Sequence, residues 1–122
     1  MGPIFLIDDN STWSEAVIEF LGAEGFTVET AESGRQGLEL LDRTDPILII
    51  LDVHLPDTNG LSVLREYHRR NKTAPVLMVS AEDQSSVMAE ALSEGAASFL
   101  RKPVSPDLLV RAVRQLTRDR SP

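Results

Sequence analysis

The stretch Ile-Leu-Ile-Ile-Leu-Asp at residues 47–52 decides the fold, because five apolar residues in a row end in a carboxylate. A short run that is apolar at every position is typical of a parallel strand covered on both faces of its sheet. Two further runs share this character, from Ile4 to Ile7 and from Val76 to Val79. We therefore predict three central parallel strands, with weaker strands from Phe26 to Thr30 and from Ser98 to Arg101 nearer the edges of the sheet.

Segments of helical periodicity separate these runs. The second segment begins with Ser33 and has Gln36 three residues later, a pairing typical of a capping box. The last segment has Ser105 as its predicted N-cap and Pro106 in its first turn, where proline is favoured. The predicted helices start at about Ser11, Ser33, Gly60, Asp83 and Ser105. Strands and helices that alternate in this way predict an α/β fold, with helices on both faces of a parallel sheet.

Length and composition indicate one domain. The chain has 122 residues, of which 42% are hydrophobic and 25% are charged. These values are ordinary for a globular domain that folds around its own core. We expect residues 1–118 to form this domain and residues 119–122 to be a tail or the start of a linker.

Charge and residue usage argue against several classes of function. The net charge of -7 disfavours direct binding to nucleic acid, since the phosphate backbone would be repelled. The chain has no cysteine, which excludes disulfides, thiolate metal sites and a cysteine nucleophile. The apolar runs are too short to cross a bilayer and no segment resembles a signal peptide, so we expect a cytoplasmic protein without a membrane anchor.

Chemically reactive side chains follow four of the five predicted strands. Asp8 and Asp9 end the first strand, Asp52 ends the third, Ser80 ends the fourth, and Lys102 follows the fifth. In open parallel sheets, ligands bind beyond the carboxyl ends of the strands, near the point where the strand order reverses. The sequence therefore predicts a functional site that combines three carboxylates, a hydroxyl and an ammonium group.

Three carboxylates at one edge repel one another, so the site should hold either a proton or a hard cation such as Mg²⁺. Mg²⁺ prefers a few carboxylate oxygens together with waters and a phosphate oxygen. An aspartate beside it can act as a nucleophile and form an acyl phosphate. A lysine is the kind of partner that stabilises the charge on the incoming phosphoryl group.

These residues resemble the receiver domains of bacterial two-component response regulators, of the kind found in chemotaxis regulators. The resemblance rests on Ile-Asp-Asp at 7–9, Leu-Asp-Val-His-Leu-Pro-Asp at 51–57 with Gly60 beyond, Val-Ser-Ala at 79–81, and Phe99 with Lys102-Pro103. Each motif is weak alone, but their order and spacing are highly specific and span essentially the whole chain. The resemblance implies a flavodoxin-like (βα)5 fold, a three-layer sandwich whose five parallel strands have the order 2-1-3-4-5.

The resemblance also implies roles for the acidic residues. Asp52 is similar to the phosphoacceptor of the family. Asp9, Asp52 and the backbone carbonyl of His54 are similar to the ligands of Mg²⁺, with Mn²⁺ as an alternative ion. Asp8 is similar to the acid that acts on the metal through water.

Further roles follow from the same resemblance. Lys102 is similar to the partner of the phosphoryl group, and its bond to Pro103 to the cis peptide of the family. Ser80 is similar to the hydroxyl that moves to bind the phosphoryl group. Phe99 is similar to the aromatic switch, although an aromatic residue in a strand also suits a core, and this one lacks the hydroxyl of the more usual tyrosine.

Several further positions are predicted to have tuning or structural roles. His54 and Glu82 resemble the positions that tune the lifetime of the phosphoryl group. Trp13 is expected to pack with partial exposure, and His68 to lie on a solvated helix face. Gly60 and Gly95 are expected to permit turns.

The partners implied by the resemblance are a cognate histidine kinase and an output domain or downstream protein. A homodimer through the fourth helix, fifth strand and fifth helix is compatible with the apolar stripe of Val87 and Ala91 and with the residues near Phe99. The domain would catalyse only its own phosphorylation and dephosphorylation, so we do not expect an enzyme acting on a separate substrate.

Three other functions fit parts of the pattern. A receiver-like interaction module would no longer take a phosphoryl group. A small aspartyl-phosphate hydrolase of the haloacid-dehalogenase type would place a second aspartate two residues after the nucleophile, where this chain has His54. A flavodoxin-like flavin module would need a phosphate-binding loop where Asp8 and Asp9 stand, and these carboxylates would repel phosphate.

Overall fold

The computed structural model describes residues 2–70, 72–81 and 85–118. The strands are β1 (Ile4–Ile7), β2 (Val28–Ala31), β3 (Leu48–Asp52), β4 (Val76–Ser80) and β5 (Ser98–Arg101). The helices are α1 (Ser11–Ala23), α2 (Gly34–Arg43), α3 (Gly60–Arg69), α4 (Ser85–Ser93) and α5 (Pro106–Thr117). The alternation of strands and helices predicted from the sequence is confirmed.

All neighbouring strands are parallel, and their order is β2-β1-β3-β4-β5. The order reverses between β1 and β3, since the chain runs from β1 to β2 on one side and then crosses back to β3 on the other. The carboxyl ends of these two strands lie side by side, with Ile7 paired to Leu51. This reversal places Asp8 next to Asp52.

Alternate residues of the central strands feed two separate apolar cores. Phe5 and Ile7 belong to one core, together with buried residues of α2, α3 and α4. Ile4 and Leu6 belong to the other core, together with buried residues of α1 and α5. This alternation has the two-residue period of a strand. The result is the predicted three-layer sandwich, in which a strand apolar at every position buries both of its faces.

Side-chain caps set where the helices begin. Asn10, Ser33, Asn59 and Ser105 are the N-caps of α1, α2, α3 and α5, and each accepts a hydrogen bond from a backbone N–H of the first turn. Such caps satisfy amides that have no partner inside the helix. The predicted caps Ser33 and Ser105 are confirmed.

Some predictions about element ends and exposure need correction. β1 ends at Ile7, so Asp8 and Asp9 follow this strand and do not end it, whereas Asp52 and Ser80 are the last residues of β3 and β4 as predicted. The predicted start of the fourth helix at Asp83 lies outside the described residues. His68 does not lie on a solvated face, because it is half-buried and its Nδ1 is 3.1 Å from the carbonyl oxygen of Glu94. Gly95, just after α4, has φ +102° and confirms the predicted turn glycine. Within the described ranges, no helix has both the length and the apolar character needed to span a membrane.

Candidate functional site

Three carboxylates meet beyond the ends of β1 and β3. Asp8, Asp9 and Asp52 each offer an oxygen, and these oxygens all lie within 4.8 Å of one another. Asp8 and Asp52 are buried, whereas Asp9 is exposed. The sequence placed all three at one edge of the sheet, and the structure brings them together there.

Lys102 reaches this cluster from the end of β5. Its Nζ donates a hydrogen bond of 2.6 Å to Oδ2 of Asp8 and lies 3.6 Å from Oδ2 of Asp52. The backbone N–H of Lys102 donates to the carbonyl oxygen of Ser80 at 2.9 Å, which ties the lysine to the end of β4. The Lys102–Pro103 peptide bond is cis, the configuration that the resemblance implied. The ammonium therefore balances part of the negative charge of two buried carboxylates.

The environment of Asp52 disfavours its charged form. Burial raises the pKa of this carboxyl above its ordinary value, and the negative charge of Asp8 raises the pKa further. Lys102 and the backbone N–H groups of His54 and Val53 act in the opposite direction, and the His54 amide lies 3.3 Å from Oδ1. The pKa of Asp52 is raised on balance, and burial contributes most to this rise.

The donor set of the site fits a hard divalent cation. Three carboxylates face one ammonium group, and carboxylate oxygens are the ligands that Mg²⁺ prefers in proteins. An added cation would also reduce the repulsion that raises the pKa of Asp52. Asp8, Asp9 and Asp52 are therefore the described side chains that could hold such an ion.

Ser80 and Phe99, the two predicted switch residues, lie on the neighbouring strands β4 and β5. Ser80 is the last residue of β4 and is 0% exposed. Phe99 pairs with Met78 across β4 and β5, is half-buried, and packs against the core that contains α3 and α4. The switching roles of both residues stay predictions. Glu82, the second position proposed to tune the phosphoryl lifetime, lies outside the described residues, and the side chain of His54 is exposed.

The loop after β3 is held by contacts that periodicity could not reveal. Gly60 begins α3, and its N–H donates to the carbonyl oxygen of Val53 at 2.6 Å. A Cβ on Gly60 would lie 2.0 Å from the carbonyl oxygen of Asp52. The glycine is thus required for a close approach of two backbone segments, a different reason from the predicted turn.

Asp57 and Trp13 are two residues whose contacts the sequence left unassigned. Both oxygens of Asp57 accept hydrogen bonds at the start of α2, from the backbone N–H of Gly34 at 2.9 Å and of Arg35 at 3.0 Å. These two bonds lower the pKa of Asp57, with the bond from Arg35 contributing most. The ring of Trp13 lies under the Lys102 ammonium, 5.2 Å from Nζ to the ring centroid. Asp57 falls inside the motif at 51–57, but no spacing rule connects Trp13 with Lys102.

Comparison with known proteins adds independent observations. The family model described as "Response regulator receiver domain" matches residues 4–114. The response regulator MprA of Mycolicibacterium vanbaalenii is 32% identical over 119 residues, which are 98% of this chain and 52% of that protein. The transcriptional regulatory protein TrcR of Mycobacterium tuberculosis is 32% identical over 115 residues, which are 94% of this chain and 45% of that protein. The chain thus spans about half the length of these relatives.

Solved structures resemble the fold closely. The receiver domain of the Francisella response regulator 1452 has a TM-score of 0.93 and 25% identity, and the match covers 99% of this chain and 100% of that one. A CheY-like response regulator receiver domain protein from Methanospirillum hungatei has a TM-score of 0.89 and 26% identity, with 98% and 97% of the two chains covered.

Proposed function

The chain belongs to the response regulator receiver domain family, and from this premise we propose that it accepts a phosphoryl group on Asp52. As a member of this family it is a receiver domain of a two-component response regulator. The convergence of Asp8, Asp9, Asp52 and Lys102 at the reversal point of the sheet supports the proposal most directly. These four residues supply a nucleophile, a charge partner and carboxylates for a cation.

The proposed reaction is a transfer from a phosphohistidine of a histidine kinase. A carboxylate oxygen of Asp52 forms a bond to phosphorus, while the bond between phosphorus and the imidazole nitrogen breaks and the nitrogen keeps the electron pair. The nucleophile must be ionised, so the factors that lower its pKa assist the reaction. Lys102, 3.6 Å from Oδ2 of Asp52, is placed to offset the charge that the phosphoryl oxygens bring.

We propose that Asp9, Asp52 and the backbone carbonyl of His54 would hold Mg²⁺ or Mn²⁺, with Asp8 acting through water. The bound ion would neutralise part of the charge on the transferred group. The protein's own contribution is to hold the carboxylates within 4.8 Å of one another, although such proximity is repulsive without a cation.

We propose that the phosphoryl group is read out through Ser80 and Phe99. A hydrogen bond from the Ser80 hydroxyl to a phosphoryl oxygen would shift the end of β4 and let the half-buried ring of Phe99 move inward. The surface of α4, β5 and α5 would then repack and change its affinity for an output domain, a downstream protein or a second copy of the chain. A local charge change that biases a two-state element is a known design for switches.

The proposal assigns no separate substrate to the domain. Its reaction partner is a histidine kinase, and its chemistry is confined to its own phosphorylation and dephosphorylation. The acidic charge of -7 is consistent with an output that does not depend on nucleic-acid binding by this domain.

The direct test is the intact mass of the protein after incubation with acetyl phosphate and Mg²⁺, with a sample lacking metal in parallel. We expect one phosphoryl adduct in the unchanged protein and none in Asp52→Asn. Asp107→Asn is a matched control, because Asp107 is an exposed carboxylate in the first turn of α5. An adduct on Asp52→Asn would show that another residue is the nucleophile. If the unchanged protein is folded but forms no adduct, the phosphate-independent interaction module would be favoured.

A further inference from the structure

The Lys102 ammonium has an aromatic neighbour as well as its two acidic ones. Nζ lies over the ring of Trp13 at 5.2 Å from the centroid, within the range of about 6 Å in which cation–π attraction operates. The same Nζ donates to Asp8 at 2.6 Å. The Lys102 side chain is 16% exposed, so this attraction acts in a site largely shielded from water.

The position of Trp13 is fixed by the same loop that carries the carboxylates. Its backbone N–H donates to the side-chain oxygen of Asn10 at 3.1 Å, and the N–H of Asn10 donates to Oδ1 of Asp8 at 2.9 Å. The Trp13 ring also packs against the core of α1 and α5. The first turn of α1 therefore holds the ring at a defined distance from Asp8.

No hydrogen bond to a described residue explains how the indole of Trp13 is oriented. Its Nε1 is buried and finds no hydrogen-bond partner among the described residues. A buried indole N–H usually has such a partner. Packing and the ammonium are thus the interactions that place the ring.

Trp13 and Lys102 line the same surface groove. The groove has a volume of 480 Å³ and is lined by Trp13, Phe20, Lys102, Pro103, Val104 and Pro106 among others. A smaller side chain at position 13 would widen the groove beside Nζ and admit water to it. A hydrated ammonium is held less firmly beside the carboxylates.

We infer that Trp13 is a positioning residue that holds the Lys102 ammonium against Asp8 and Asp52. The inference rests on the proposed function, because the cation must be in place when the phosphoryl group arrives at Asp52. Trp13 acts through Lys102 and does not touch the reacting atoms. Loss of the ring should slow phosphorylation about three- to tenfold, the range expected for one partly desolvated cation–π contact.

The first measurement is NMR of the unphosphorylated protein. Protons on the carbon that carries Nζ should be shifted upfield by the ring current of the indole, with Lys102→Ala identifying the signals. We expect Trp13→Leu to remove this shift and Trp13→Phe to keep part of it. Lys102 signals that are unchanged in Trp13→Leu would overturn the inference, whatever the protein does with phosphate.

The second measurement is the rate at which Asp52 is modified by acetyl phosphate. We expect Trp13→Leu to be slower than the unchanged protein, Trp13→Phe to recover part of the rate, and Trp13→Leu to have no further effect in a Lys102→Ala background. Phe26→Leu is the matched control, since Phe26 packs against the same core but outside the site, and its rate should not change.

The two measurements separate failure of the inference from failure of the proposed function. An unchanged protein that takes no phosphoryl group would refute the proposed function, and the NMR shift alone would then decide whether Trp13 holds the ammonium. Equal rates of modification in the unchanged protein and in Trp13→Leu would refute the positioning role. A rate loss that persists in full in the Lys102→Ala background would show that Trp13 acts by another route.

Discussion

Replacing Gly60, the first residue of α3, by alanine should destabilise the fold because the added methyl group would overlap the backbone at the end of β3. The new Cβ would lie 2.0 Å from the carbonyl oxygen of Asp52, 2.9 Å from its carbonyl carbon and 3.0 Å from Cα of Val53. All three atoms belong to the backbone, so no side-chain rotation relieves the overlap. The end of β3 and the start of α3 must move apart.

The size of the effect follows from two contributions. The Cβ–oxygen separation has to grow from 2.0 Å to at least 3.4 Å, where ordinary contact begins. Overpacking of this kind costs about 1–3 kcal/mol. The movement also breaks the 2.6 Å hydrogen bond from Gly60 N–H to Val53, which contributes about 1 kcal/mol. We expect Gly60→Ala to lower the free energy of unfolding by about 3 kcal/mol and the melting temperature by roughly 10 °C.

Urea denaturation followed by far-UV circular dichroism measures this change. The slope of free energy against urea should be the same in both proteins, so that only the midpoint moves. Gly22→Ala is the matched control, because a Cβ there meets no atom within 4 Å and Gly22 lies within α1. That variant should gain about 0.5–1 kcal/mol from helix propensity and reduced unfolded-state entropy.

A Gly60→Ala protein whose unfolding free energy lies within about 0.5 kcal/mol of the unchanged protein would mean that β3 and α3 do not approach as closely as described. Slower modification of Asp52 by acetyl phosphate in the folded Gly60→Ala protein would further indicate that this approach positions the acceptor.

Three further predictions concern the site. Ser80→Ala should still accept a phosphoryl group on Asp52 but lose the change in hydrogen exchange that phosphorylation causes over α4, β5 and α5. If the exchange of this variant changed as much as that of the unchanged protein, Ser80 would not couple phosphorylation to this surface. Lys102→Ala should slow phosphorylation about tenfold, because the charge on the phosphoryl oxygens loses its partner. Intact mass over time measures this rate, and an unchanged rate would show that Lys102 takes no part in the reaction. Asp52→Asn should be more stable than the unchanged protein at neutral pH, because the raised pKa of Asp52 makes ionisation costly to the fold. This cost is absent below pH 3.8, the ordinary pKa of the group, and grows as the pH rises above that value. The urea midpoints of the two proteins should therefore converge in acid. A difference between the midpoints that is the same at every pH would contradict the prediction.

Much of the fold was predictable because its signals are local. The runs at residues 4–7, 47–51 and 76–79 are apolar at every position, and only a strand with both faces covered suits such a run. Ser33 and Ser105 mark helix starts through contacts within one turn, since their hydroxyls accept from the backbone N–H of Gln36 and of Leu108. Of the two edge strands, β5 has its predicted bounds, whereas β2 begins at Val28 and not at Phe26, because its half-buried pattern carries a weaker signal.

Predictions failed where a contact joins distant parts of the chain. His68 follows a cluster of charged neighbours in sequence, which favoured a solvated face, yet its ring lies against the end of α4 near Glu94 and Gly95. Gly60 was assigned to a turn because glycine is common there, whereas the constraint comes from the carbonyl oxygen of Asp52. Neither contact has a signature in the periodicity of its own segment.

The sequence by itself determined which side chains end the strands. Five reactive side chains lie at or just after the ends of predicted strands in the sequence: Asp8, Asp9, Asp52, Ser80 and Lys102. Parallel strands place these ends at one edge of the sheet. Only the tertiary structure decided which of them touch. Lys102 and Asp8 are 94 residues apart in the chain, and their 2.6 Å hydrogen bond exists because β1 lies beside β3, β3 beside β4, and β4 beside β5. The ring of Trp13 meets the same ammonium for the same reason, since the strand order brings α1 and the end of β5 together.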